Sequence, residues 1–150
     1  MLQCLQHKLF KLPNVFKQHN IVLKNIEVLK SSDKNKQAFS DAVNSYFKED
    51  IEIDDFIFSA PQSIEDLVAE GEALHHCIGN YSDNIIQGIS KIFYMRFKSS
   101  PNVSYVTIEL NENNDLVEFE GDYNKVPTDD DTLDALKKFC KKMKPSKKAL

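Results

Sequence analysis

The stretch EGEALHHCIGNY, residues 70–81, concentrates side chains that can bind a metal or attack a substrate. Glu72 and His76 are four positions apart, so they share one face of a helix if the helix continues that far. Zinc accepts nitrogen, sulfur and carboxylate ligands, and Cys77 follows at once. The spacing suggests a structural zinc site at Glu72, His76 and Cys77, completed from elsewhere in the chain. Zinc is the one cofactor suggested.

The same segment suggests a second chemistry, a cysteine-dependent enzyme. Cys77 would be the nucleophile and His75 or His76 its base, with Tyr81, Arg96 and Glu109 in the same cleft. Such a thiol needs a setting that lowers its pKa, whereas its surroundings are acidic and it lies where a helix is predicted to end. In the structural alternative, His76 caps the helix, Cys77 is a small buried residue, and Arg96 lies along the sheet or pairs with Glu109 or Glu118. We favour a non-enzymatic protein.

Charge is strongly segregated along the chain. Residues 49–134 contain twenty Asp and Glu against four Lys and Arg, whereas both flanks are basic and the net charge is −4. A concentrated acidic field attracts basic protein surfaces and repels phosphate backbones. The central region is therefore predicted to bind a basic nucleic-acid-handling protein and not nucleic acid itself.

The densest carboxylates fall on a predicted hairpin and on the start of the last helix. Alternation places Glu118 and Glu120 on one face of their strand. A row of carboxylates on a rigid sheet can imitate the charge spacing of a phosphate backbone. The predicted partner-binding residues are Glu109, Glu112, Asp115, Glu118, Glu120, Asp122, Asp129, Asp130 and Asp131.

Hydrophobic periodicity predicts an α+β protein with a helical N-terminal half, an antiparallel sheet of about three or more strands, and a C-terminal helix. Helices are expected at 35–47, from Ser63 to about Gly79, and at 81–87. The segment DIEIDDFIFSAP is expected to form one or two short strands. The last helix should start near Thr128.

Length and composition indicate one domain over residues 1–150. No apolar run reaches the roughly 18 to 20 residues of a membrane span. The N-terminus has no leader pattern, and the three cysteines show no CxxC spacing. We expect a cytosolic protein with reduced thiols and no membrane partner.

The motif order from residue 60 to residue 140 closely resembles the PcfJ-like family. The matching positions are Glu70, Gly71, His76, Cys77, Tyr81, Gly88, Ile92, Arg96, Thr107, Glu109, Gly121 and Asn124. Glu118 departs from the pattern, which commonly has Gln there. The resemblance places a PcfJ-like core at 60–143 within the single domain. Periodicity and charge predict a helical part before it at 1–59 and a basic tail after it at 144–150.

The resemblance also implies a biological context. PcfJ-like proteins are typically encoded on conjugative plasmids and other mobile elements, where they look like accessory proteins of DNA transfer. Together with the acidic charge, this context suggests an inhibitor of a host defence nuclease such as a CRISPR-associated effector. The alternative is an accessory factor of conjugative DNA transfer.

Overall fold

The computed structural model of the protein describes residues 33–144. Two 3₁₀ turns, Ile78–Tyr81 and Asp122–Asn124, interrupt the regular elements. In chain order, the helices and strands of these residues are α1 (Asp33–Tyr46), β1 (Ile51–Ile53), β2 (Phe56–Ser59), α2 (Ile64–Ala73), α3 (Ser82–Ile86), β3 (Ser90–Phe97), β4 (Val106–Asn111), β5 (Leu116–Glu120) and α4 (Asp130–Met143).

The five strands form one antiparallel sheet in the order β1-β2-β3-β4-β5. The α+β prediction is confirmed. The segment DIEIDDFIFSAP supplies both β1 and β2, and β2 pairs with β3 from Phe56 opposite Phe97 to Ser59 opposite Tyr94. The sheet therefore crosses the expected boundary at residue 60, and the part before it is not wholly helical.

The two faces of the sheet differ in composition because side chains alternate along each strand. The face that we call the apolar face packs against α4, and its core includes Phe58, Phe93 and Phe139. The opposite face, the mixed face, lies under α1, α2 and α3 and combines apolar residues with polar ones. The mixed face carries Ser90, Ile92, Tyr94 and Arg96 on β3, Thr107 and Glu109 on β4, and Glu118 and Glu120 on β5.

Helix starts agree well with the sequence predictions. The Ser63 side chain accepts a hydrogen bond from the backbone N–H of Asp66 at 3.0 Å, which caps α2. Asp129 caps α4 in the same way, accepting from the N–H of Thr132 at 3.0 Å. Helix α1 begins and ends within two residues of its predicted limits.

The predicted end of α2 was wrong. The helix ends at Ala73 rather than near Gly79, and His75 adopts a left-handed conformation with φ of +52°. A 3₁₀ turn then occupies Ile78–Tyr81, and the helix predicted at 81–87 follows it as α3, within one residue of the predicted limits at each end. Glu72 and His76 therefore do not share a helix face.

The helix suggested by the leucines before Pro13 and most of the basic tail lie outside the described residues. Among residues 33–144, no helix combines the length and apolar character needed to cross a membrane. The cytosolic compartment stays a prediction.

Candidate functional site: a buried polar cluster and two left-handed turns

A buried ion pair joins α2 to the mixed face of the sheet. Glu70 is only 2% exposed, and its Oε2 accepts hydrogen bonds from Arg96 Nη2 at 2.5 Å and from Ser104 Oγ at 2.7 Å. Arg96 Nη1 also donates to the carbonyl oxygen of Pro101 at 3.1 Å. The predicted pairing of Arg96 with Glu109 was therefore wrong, because α2 brings a carboxylate closer than the neighbouring strand does.

Several polar atoms around this pair have no hydrogen-bond partner within the described part of the chain. They are Glu70 Oε1, Arg96 Nε and Tyr94 Oη. The Arg96 guanidinium lies 5.1 Å from the centre of the Tyr94 ring, a cation–π contact. Burial is the main cause that raises the pKa of Tyr94 well above its ordinary value, so its hydroxyl stays protonated.

His76 is a buried structural residue in this arrangement. Its Nδ1 accepts from the backbone N–H of Ile78 at 3.4 Å, so Nε2 carries the proton and donates to Thr107 Oγ1 at 3.0 Å. Burial lowers the pKa of His76 to about 4, which keeps the ring neutral near pH 7. Both ring nitrogens are engaged, and neither is presented to a metal ion or to Cys77.

The remaining polar residues of the mixed face follow β4. Glu109 is 7% exposed and accepts a hydrogen bond from Ser90 Oγ at 2.6 Å. Burial, together with the charges of Glu109, Glu118 and Glu120, raises the pKa of Tyr81 to about 12. Glu118, where the family pattern favours Gln, lies directly opposite Glu109 in the strand register. Carboxylates therefore crowd this end of the mixed face.

Two left-handed turns meet beside this cluster. The His75 and Tyr123 rings stack with centres 4.2 Å apart and planes 3° apart, and His75 Nδ1 lies 2.8 Å from Asp122 Oδ1. Tyr123 N–H also donates to the carbonyl oxygen of Leu74 at 2.8 Å. Tyr123 and Asn124 have φ of +53° and +61°, an unusual conformation for residues other than glycine. Such strain concentrates at functional sites.

The sequence did not predict this meeting of turns. The doubled histidine and the GDYN segment were its visible signals, but left-handed Tyr and His residues have no compositional signature. Gly71 explains how the chain after α2 folds back closely onto that helix, because a Cβ there would lie 3.0 Å from the backbone N of Gly79 and 3.1 Å from the carbonyl oxygen of His76.

The residues of the predicted zinc site are not brought together. Glu72 is exposed, whereas Cys77 is 5% exposed and disulfide-bonded, in contrast to the reduced thiol expected. Within residues 33–144, no group of three or more His, Cys, Asp or Glu side chains is placed to hold a metal ion. The proposed catalytic group is also divided, because Arg96 binds Glu70 while Glu109 binds Ser90.

The nine carboxylates of the predicted partner surface are also divided. Glu109 is buried, and Glu118 and Glu120 are only partly exposed on the mixed face. Asp115 pairs with Lys144, and Asn114 Nδ2 donates to the carbonyl oxygen of Met143, so the β4–β5 hairpin lies at the C-terminal end of α4. Glu112 is exposed on this hairpin.

The other exposed carboxylates lie at the opposite end of the sheet. We call this group the acidic end, and it comprises Asp122, Asp129, Asp130 and Asp131. Because α4 has 14 residues, its two ends are about 20 Å apart. The single acidic surface predicted from the sequence was therefore wrong in its extent.

The fold and these side chains together define an α+β domain in which one sheet face carries several separate buried polar contacts. The residues that make these contacts, notably Glu70, His76, Arg96, Thr107 and Glu109, are among those that the PcfJ-like pattern picks out. The sequence profile of the PcfJ-like proteins matches residues 1–136, so the chain belongs to the PcfJ-like protein family. The relationship extends beyond the 60–140 region in which the motifs are visible.

One relative adds to this assignment. Over 80 residues, 52% of this chain, the sequence is 36% identical to an uncharacterized protein of Listeria innocua. The match covers 17% of that protein, so the chain spans a small part of its relative's length. No solved structure matches the chain significantly.

Proposed function

We propose that this protein is a binding module that docks a basic nucleic-acid-handling protein on its acidic end. One observation carries the proposal: the 122–131 segment joins exposed carboxylates to large exposed apolar side chains. Tyr123 is 53% exposed and Val126 is 54% exposed, between Asp122 and the three aspartates at the start of α4. An apolar anchor within a charged rim is the usual composition of a protein–protein interface.

The segment is also rigidly held, which favours binding over a merely solvated surface. Asp122 bonds His75, Tyr123 stacks on the same ring, and Gly121 N–H donates to the carbonyl oxygen of Lys125 at 2.7 Å. Near the C-terminal end of the segment, Asp129 caps α4. A surface fixed before binding loses little conformational entropy when the partner arrives.

Two partner classes follow from the mobile-element context of the family. A defence nuclease such as a CRISPR-associated effector would be inhibited, because the carboxylates would occupy a groove that otherwise binds phosphates. A protein of conjugative DNA transfer would instead be recruited without losing activity. Both classes have basic surfaces, so the effect on the partner's activity distinguishes them.

The test measures binding to purified members of both classes at 0.15 M and 0.5 M salt. We expect the double variant Asp130→Lys with Asp131→Lys to weaken binding by roughly tenfold or more, and 0.5 M salt to weaken it further because it screens exposed charges. Asp129 is left intact, since it caps the helix.

The matched control reverses two exposed carboxylates elsewhere, Glu49→Lys with Glu112→Lys, and so changes the net charge equally. Equal weakening by both double variants would mean that net charge alone matters. Binding that ignores salt, or no binding to any member of either class, would contradict the proposal.

A further inference from the structure

A second surface adjoins the acidic end on the apolar face of the sheet. Phe97 is 38% exposed and its ring lies 4.6 Å from that of the partly exposed Tyr105. Val103, in the loop between β3 and β4, is 62% exposed. We call Phe97 and Tyr105 the aromatic patch. Large apolar side chains grouped at the surface often mark an interaction site.

The aromatic patch borders the first turn of α4. Tyr105 Oη lies 2.7 Å from Thr132 Oγ1 and 3.4 Å from Asp129 Oδ1. Asp130 and Asp131 follow in the same turn and are exposed. Aromatic rings and carboxylates are therefore presented together, with the charges at one rim of the patch.

The buried ion pair of the mixed face holds the loop between β3 and β4, which carries Tyr105 of this patch. Arg96 Nη1 bonds the carbonyl oxygen of Pro101, and Ser104 Oγ bonds the same Glu70 oxygen as Arg96 does. The loop is thus fixed at two positions by a pair that is itself mostly buried. A buried ion pair adds little net stability over apolar residues of similar size, so its contribution here is to fix the loop.

We propose that the aromatic patch and the first turn of α4 together bind an arginine side chain of the basic partner, an inference that rests on the proposed function. A guanidinium can stack on an aromatic ring and at the same time form two parallel hydrogen bonds to a carboxylate. The compact ammonium of lysine offers no planar fork to do both. The surface therefore selects arginine over lysine, rather than positive charge in general.

A second copy of the chain is a poor occupant for this surface. The chain contains 18 lysines and a single arginine, Arg96. That arginine is engaged with Glu70 and its side chain is 18% exposed. A self-contact would therefore have to use lysine.

The test compares two synthetic peptides of equal length and charge, one with arginine and one with lysine at every basic position, at 0.15 M salt by calorimetry. We expect the arginine peptide to bind roughly five- to tenfold more tightly, in line with a cation–π contact in a partly desolvated setting. Phe97→Leu keeps the apolar volume but removes the ring, and should abolish the preference. Ile89→Leu, at a residue that is 50% exposed elsewhere, is the matched control and should retain it.

Each result decides between the two proposals. Equal affinity for the two peptides, or an arginine preference that survives Phe97→Leu, would overturn the arginine inference while leaving the proposed function in place if the partner protein still binds. A dimer seen by light scattering that Phe97→Leu dissociates would assign the patch to a second copy and overturn it too. If the wild-type protein binds no partner of either class, even at low salt, the proposed function itself is rejected.

Discussion

The two faces of the sheet are packed by different kinds of side chain. On the apolar face, α4 covers a core of stacked aromatic and aliphatic residues, including Phe139 and Phe58 with ring centres 4.4 Å apart. On the mixed face, Glu70, His76 and Thr107 are buried beside a second apolar cluster, and Arg96, which is partly buried, pairs with Glu70. Burying a charge is costly unless it is paired. The polar residues of the mixed face therefore add less stability than apolar residues would, but they fix the positions of α2 and of the loop between β3 and β4. Both faces therefore carry an apolar core, and the mixed face adds the buried polar residues that the family pattern shares.

The largest effect is expected on the apolar face. Phe139→Ala removes a fully buried ring that stacks on Phe58 and meets Phe93 edge-on at 5.1 Å. The free energy of unfolding should fall by about 3 to 5 kcal/mol, measured by urea denaturation. Val103→Ala, at an exposed residue, is the control and should change it by less than about 0.5 kcal/mol. A loss below about 1 kcal/mol for Phe139→Ala would mean that α4 is not packed as described.

The mixed face should respond differently to single and double changes. Glu70→Ala leaves the Arg96 charge without its carboxylate and should cost about 3 kcal/mol in the free energy of unfolding. Replacing Glu70 and Arg96 together with Met should recover most of that loss, because the desolvation of both charges disappears. A double variant as unstable as Glu70→Ala would show that the pair is needed for folding, and would remove the distinction between the faces.

Low pH should also destabilise the protein through His76 on the mixed face. The pKa of His76 is lowered to about 4 in the folded protein from an ordinary value of 6.5, so the unfolded chain binds the proton more readily between these values. The protein is therefore most stable above pH 6.5, and its free energy of unfolding falls by about 3 kcal/mol as the pH is lowered through this range to 4.

This pH dependence is measured by denaturant unfolding at a series of pH values for the wild type and for His76→Gln. The free energy of unfolding changes with pH in both proteins. The difference between the two slopes gives the contribution of His76, separate from those of the other titrating groups. Parallel pH profiles would show that the ring is not buried in its neutral form.

The smallest effect is expected at the exposed pair between the two turns. Asp122→Asn weakens the contact with His75, whose side chain is 52% exposed, and solvent screens such pairs strongly. The free energy of unfolding should fall by less than about 1 kcal/mol, as measured by the shift in melting temperature. A loss above about 2 kcal/mol would place this pair with the buried ones and make the left-handed turns part of the core.

Local features of the fold were readable from the sequence. The alternation in KIFYMRF and VTIEL specified β3 and β4, and Ser63 and Asp129 or its neighbours marked helix starts. These signals act between residues that are close along the chain, so they do not depend on the rest of the fold. The order of polar motifs was also enough to suggest the family that the comparison confirmed.

Long-range partners were not readable in the same way. Arg96 could reach several carboxylates from its strand, and the approach of α2 to the sheet selected Glu70. The nine carboxylates looked continuous in sequence, yet the length of α4 separates the hairpin from the acidic end. The early end of α2 at Ala73 removed His76 from the helix and aligned His75 with Tyr123.

The sequence by itself determined the strands and the helix starts, the charge balance and the family, because each depends on residue type and on neighbours in the chain. The tertiary structure decided which polar groups are buried, which carboxylates reach solvent and which rings meet. Those outcomes depend on how closely helices and strands approach one another, and that distance is set only when the core packs.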